Sequence, residues 1–259
     1  MNINNEITEE ISKLNMKDEN IKKKRAAEII QRKYKKYKLE SVSFLEMINS
    51  ANNKYMETGA NSRAPDKVNI IHQWIEEELK KILPYHIKVK QEQQVESNTK
   101  SGKKRCDIVA YKDGKPYIIF PVKYIMTSYN KNSNNMWENM QGELMSLKTH
   151  AAINGLELYI IPINIISNLI PNRQGNEQII KNMENITYEK SFKVYETLKT
   201  IPSGTMKKLS PLCMDVISYI IDVEHLCSVG DKYDKCPKTI GFNKDTPYRH
   251  FSKILSPLI

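Results

Sequence analysis

Two charged side chains stand at odd places in RCDIVAYKDGKPYIIFPVK, residues 105–123. Asp107 interrupts the first of two apolar runs, and Lys123 closes the second. Aspartate is a poor strand former, and a charge taken out of water needs a partner. A lysine after a buried strand ordinarily snorkels from a sheet edge. One shared site at the same end of two neighbouring strands accounts for both oddities. There Asp107 would bind a divalent cation, and Lys123 would face an attacking water or a phosphate. Metal and ammonium together stabilise the charge that develops when water attacks phosphorus.

The elements that must position this pair can be read around it. Asp113-Gly114 between the two runs is a hairpin signal of the type that needs positive φ. Ahead of them, HIKVKQEQQVES alternates as a strand with one wet face. Before that, PDKVNIIHQWIEEELKKIL predicts a helix, with Pro65 at its start, Asp66 in its first turn and Pro84 ending it. After Lys123, NKNSNN reads as the cap of a helix through about Ala152, ended by Asn154-Gly155. LELYIIPINI is then an apolar strand. The core order is helix, three-stranded meander, helix, strand.

Helical additions are expected on both sides of that core. Residues 5–40 carry the basic block IKKKRAAEIIQRKYKKYK, and 41–57 continue as a short helix with Phe44, Leu45, Met47 and Ile48. Beyond Pro171 helices are expected over about 176–185, 188–199 and 205–226. The chain thus divides into a basic helical region (1–64), a core (65–165) and a mainly helical region (166–259) belonging to the same domain. The class is α/β of the α+β type.

Bulk properties narrow the function. The chain has 259 residues, 40% of them hydrophobic, and no apolar run of about 18 residues that would cross a membrane. MNINNEITEE lacks the basic-then-apolar pattern of an export signal. Four scattered cysteines, at 106, 213, 227 and 236, make no disulfide framework. An intracellular, cytoplasmic protein is expected. His225, Cys227 and Cys236 match no zinc-module spacing. Forty Lys and Arg against thirty Asp and Glu give a net charge of +10. That balance favours a polyanionic partner through counterion release, although Lys and Asn are abundant throughout the chain.

With its order of elements, the stretch resembles the PD-(D/E)xK nuclease superfamily, which includes most type II restriction endonucleases. The resemblance covers residues 65–165 and rests on Asp107 at the Asp of the second strand and Lys123 at the Lys of the third. It implies a restriction-endonuclease-like core, a mixed sheet of four to five strands flanked by helices, and a Mg2+ cofactor. One position departs. Where the family places an acid two residues before the Lys, this chain has Pro121, which cannot ligate a metal. A subset of similar restriction enzymes carries that acid on the following helix, which here offers Glu138 and Glu143. Met140, Leu144, Leu147 and Ala151 define the buried face of that helix. Glu143 lies about 70° from its centre and Glu138 nearly opposite. Position along the chain favours Glu138, the face favours Glu143, and Glu138 ranks first. Members of the superfamily also use a Glu from the first core helix. Glu78 is the choice there, because it falls within the apolar stripe of Ile71, Ile75, Leu79 and Ile82.

For DNA contacts, TSYNKNSNN supplies Tyr129, Asn130, Lys131, Asn132, Asn134 and Asn135. Asn suits adenine readout, and Tyr and Lys suit phosphate. Arg63 precedes the first core helix, and Lys103, Lys104 and Arg105 open the second strand. The resemblance implies a metal-dependent, sequence-specific endonuclease of the type II restriction class. It would act on double-stranded DNA as a homodimer and leave 5′-phosphates, with the first and last helical segments forming the dimer surface. The alternatives are a catalytically inactive nuclease-like nucleic-acid-binding protein, or a repair or recombination nuclease such as a junction resolvase.

Overall fold

Which residues turn inward decides the layers of this molecule. The computed structural model describes residues 10–14, 19–57, 65–127, 129–174, 177–183, 193–205, 208–224, 238–242 and 248–259. Helix α1 (Glu19–Glu57) is followed by α2 (Asp66–Ile82). Strands β1 (Lys88–Glu96), β2 (Lys103–Lys112) and β3 (Lys115–Phe120) form an antiparallel meander. Next come β4 (Val122–Thr127), helix α3 (Tyr129–Ile153), β5 (Tyr159–Ile160) and β6 (Ile163–Gln174). The rest is β7 (Glu177–Met183), the one-turn helix α4 (Lys193–Glu196), β8 (Pro202–Thr205), β9 (Lys208–Pro211), β10 (Ile217–Glu224), β11 (Lys238–Phe242) and α5 (Phe251–Leu255). The class is α+β, a mixed sheet flanked by helices, as expected.

Local chemistry explains the turns that matter. The β2–β3 hairpin closes on Asp113 and Gly114, with φ of 52° and 75°. Two consecutive left-handed residues match the twist of the flanking strands. Helix α3 ends at Gly155, with φ of 64°, and the Leu156 N–H donates back to the Ala151 carbonyl at 2.8 Å. That is the glycine-terminated helix end expected from Asn154-Gly155. NKNSNN, however, lies within the first turns of α3 and does not precede it.

Two prolines break the central strands side by side without splitting the sheet. Pro121 separates β3 from β4, and Pro162 separates β5 from β6. The Ile161 N–H donates to the Ile119 carbonyl at 2.9 Å, and the Ile163 N–H to that of Pro121 at 2.8 Å. The strand order therefore runs β1, β2, β3/β4, β5/β6, β10, β11, with β4, β6 and β10 mutually parallel. On one face, α1, α2 and α5 pack Phe44, Ile71, Ile75, Leu79 and Phe251 against Ile108, Phe120 and Tyr219. On the other, Met140, Leu144 and Leu147 of α3 cover Val109, Ile119, Ile160 and Ile220.

The region after residue 166 departs from two of the three expected helices. Strands stand within 176–185 and 205–226, whereas residues 193–199, the described part of the helix expected over 188–199, are helical. Its described residues give β7, the short α4, the β8–β9 hairpin and β10. The reason is clearest in ISYIIDVE, the sequence of β10. It lies between β6 and β11, with Tyr219 and Ile221 in one core and Ile220 in the other. A strand covered on both faces loses its polar alternation and reads like a buried helix. At the other end, residues 19–57 form one helix where two were expected.

The C-terminal segment is tied down by a charged clamp. The Arg249 guanidinium donates to both carboxylate oxygens of Asp215, and to the Val216 carbonyl at 2.7 Å. Burial pushes the Asp215 carboxyl up, but the Arg249 hydrogen bonds and charge, the Val216 N–H and Lys199 outweigh it and hold it below its usual range. A depressed carboxyl stabilises the fold above its unfolded value of 3.8, and that contribution is lost as pH falls through the lower folded value. Arg249→Ala should therefore cost about 1–2 kcal/mol at neutral pH, given the partial exposure of the arginine. Denaturant melts should show that difference constant above about pH 5 and shrinking below the unfolded value.

Candidate active site

Asp107 is positioned by the proline that replaces the expected acid. The β2–β3 register pairs Ile108 with Phe120, so Asp107 falls opposite Pro121. Proline has no N–H to give to the ladder. The Asp107 carboxylate instead accepts the next N–H, from Val122, at 2.7 Å through Oδ2. On the other side, β1 pairs Gln91 with Ile108 and Gln93 with Cys106, which sets Glu92 opposite Asp107. Glu92 has φ of 51°, a strained conformation for a residue with a side chain.

From the helix layer above, α2 delivers His72. It is 2% exposed, and neither ring nitrogen makes a hydrogen bond. Its Nδ1 lies 3.1 Å from Glu92 Oε1, in an ion-pair contact whose direction does not make a hydrogen bond. One ligand atom from each of His72, Glu92 and Asp107 lies within 4.8 Å of the others. Arg105 holds the second Glu92 oxygen, Oε2, at 2.5 Å.

A second cluster forms with α3. Glu143, its side chain only 8% exposed, sets Oε2 3.4 Å from Lys104 Nζ and 3.8 Å from Lys123 Nζ. Buried Cys106 sits among these charges. Burial, then Glu143 and Asp107, push its thiol up to about 12 against the opposing pull of Lys104 and Lys123. Cys106 is therefore a neutral packing residue at physiological pH and no nucleophile.

The sequence-predicted residues are thus sorted. Lys123, Glu143 and Lys104 are brought together, whereas Asp107 groups with His72 and Glu92; the charges of both clusters act on Cys106. Glu138, ranked ahead of Glu143, is exposed. It lies five residues, about 1.4 helical turns, before Glu143. Glu78 pairs with Lys81 at 2.6 Å and lines a groove between α1 and α2 with Arg32, Lys36 and Glu46; it does not join the group of His72, Glu92 and Asp107. Tyr129 is buried, whereas Asn130, Lys131, Asn132, Asn134 and Asn135 are exposed on the first turns of α3. Lys103 and Arg105 are exposed on β2. Arg63, His225, Cys227 and Cys236 lie outside the described residues. His72 and Glu92 were missed. The signal for His72 was its place on the apolar stripe beside Ile71 and Ile75; Glu92 has no signal without the register.

Mg2+, which the resemblance implies, prefers oxygen ligands and keeps several waters. The ligand-type groups that gather with Asp107 are instead one buried imidazole and one carboxylate. The donor set fits a divalent cation but is not the all-oxygen set of a Mg2+ site.

No family model matches the sequence, and no curated protein is significantly similar. Among solved structures, one match is a chain of the tetradecameric assembly of Thermococcus gammatolerans McrB AAA+ hexamers with bound McrC. It is 14% identical, with a TM-score of 0.31, and the alignment covers 74% of this chain and 33% of that one. The present chain spans about a third of that chain, and so loose a likeness carries no argument. No helix among the described residues is long and apolar enough to cross a membrane.

Proposed function

We propose that the protein is a metal-dependent endonuclease of the type II restriction class, hydrolysing phosphodiesters of double-stranded DNA to leave 5′-phosphates. The observation that carries this reading is Glu143, buried on α3 within 3.8 Å of Lys123. A carboxylate near Lys123 would supply what Pro121 lacks. Bound divalent metal would polarise the phosphate and lower the pKa of the attacking water. Lys123 would stabilise charge on the phosphoryl oxygens, and Glu143 would hold the lysine in place or accept a proton. Asp107 stands one strand away, fixed by the Val122 N–H. A homodimer gives one such site to each strand of a palindrome.

Pro121 favours a second reading, a nuclease-like protein that binds nucleic acid without cutting it. Supercoiled plasmid incubated with protein and either Mg2+ or Mn2+ separates the two. Discrete fragments support restriction, random nicks a repair or recombination nuclease, and a mobility shift alone a binding module. Salt provides a further measure. If about six or more phosphates are neutralised, affinity should fall on the order of a thousandfold between about 50 and 200 mM salt. A flat response in filter binding would make the +10 charge a matter of composition and not of a binding surface.

A further inference from the structure

We infer that His72, Glu92 and Asp107 form a binding site for a first-row transition divalent cation, with Mn2+ as its accessible probe. Binding stands on these three side chains alone; only its use in cleavage rests on the nuclease reading.

The buried imidazole points to this ligand. A histidine that is 2% exposed with neither nitrogen hydrogen-bonded is a costly thing to fold. Its Nδ1 lies 3.1 Å from a carboxylate oxygen, Glu92 Oε1, without the direction of a hydrogen bond. Two ligands about 2.1 Å from one ion, and about a right angle apart, stand about 3.0 Å from each other. The 3.1 Å separation of Nδ1 and Oε1 matches that spacing.

The remaining oxygens are held for the same task. Arg105 holds Glu92 Oε2 and leaves Oε1 toward the histidine. The Val122 N–H holds Asp107 Oδ2 and orients that carboxylate. Such outer partners fix ligand geometry in metal sites. The β1–β2 register sets Glu92 opposite Asp107, and its backbone there is left-handed. One nitrogen and two carboxylates are a poor match for Mg2+ and a good one for Mn2+ and its heavier neighbours.

The test uses full-length protein stripped with chelator. Mn2+ titration followed by EPR should show one saturable site per chain. Mg2+ should displace Mn2+ only in about tenfold excess or more. Pulsed EPR of the loaded wild-type protein should show coupling to a directly bound 14N, which needs no substitution at all. His72→Gln and Glu92→Gln should each weaken Mn2+ binding at least about tenfold. His150→Ala, which removes an imidazole beside Glu96, should leave it unchanged. Circular dichroism melts establish that the variants are folded. Absence of saturable Mn2+ binding overturns the inference, leaving a plain His72–Glu92 ion pair. Binding without nitrogen coupling, or unmoved by both folded variants, overturns it too. Plasmid cleavage without nitrogen coupling would leave the nuclease reading standing and this site refuted. Nitrogen-coupled binding with uncut plasmid would do the reverse.

Discussion

Plasmid DNA incubated with the Asp107→Asn protein should stay uncut while the protein remains folded. Asp107 has two jobs that this substitution separates. Its Oδ2 accepts the Val122 N–H at 2.7 Å, beside the N–H that Pro121 lacks. An asparagine oxygen can accept that same bond, so stability should change by no more than about 1 kcal/mol. What is lost is the negative charge that a cation or a phosphoryl-transfer site requires. Cleavage should fall by several orders of magnitude. Lys123→Ala should give a similar outcome through the opposite charge, about 100- to 1000-fold or more, with DNA still bound in a mobility shift. Glu143 would keep Lys104 at 3.4 Å, so the fold should tolerate the loss of Lys123. An Asp107→Asn enzyme cutting at the normal rate would reduce Asp107 to a structural acceptor for a proline-broken strand.

The second large effect separates two glutamates on one helix. Glu143→Gln should reduce cleavage by several orders of magnitude, and Glu138→Ala should not. Glu143 is nearly buried and flanked by two ammonium groups, at 3.4 and 3.8 Å. Glutamine keeps the volume but leaves Lys104 and Lys123 facing each other without a neutralising charge. Glu138 is exposed, and removing an exposed helix carboxylate changes stability by about 0.5 kcal/mol or less. Adding Pro121→Glu to the inactive Glu143→Gln protein is the sharper version. The register sets position 121 opposite Asp107, so the new carboxylate would return to the strand. Partial recovery of cleavage is expected, limited by the altered strand break. Normal cutting by Glu143→Gln would end the idea of a relocated acid.

How far the sequence carried depends on which contacts are local. Asp113-Gly114 specified its hairpin because both residues accept positive φ. Met140, Leu144, Leu147 and Ala151 specified the face of α3, and with it the inward lean of Glu143, because helical period is a property of the segment itself. Asp107 and Lys123 were legible as charges out of place. Glu138 ranks ahead of Glu143 by its place along the chain and its spacing from Lys123, neither of which fixes distance in space. Glu92 was invisible for a related reason: it reaches Asp107 through strand register, which alternation alone does not fix. His72 was hidden by type, since one imidazole on an apolar stripe is ordinarily a packed core residue. β10 was misread because its neighbours are not near it in sequence. Its run of isoleucines acquires strand identity only from β6 and β11 on either side.

That placement of β10 has a consequence for how the chain acquires its shape on the ribosome. The segment from α2 through β6 carries every element of the catalytic reading, yet residues 163–167 of β6 are made with β4 for one neighbour and none yet on the other side, since β7 pairs only with residues 169–174. The missing neighbour, Ile217–Ile221, is synthesised only after β7, α4 and the β8–β9 hairpin have emerged. Until then a central, isoleucine-rich parallel strand presents an open edge, the kind of surface that recruits other chains. Its closure is a long-range parallel pairing, intrinsically slow to form. The nascent protein therefore passes through an interval in which the half that carries the Asp107 and Glu143 clusters is made but not sealed.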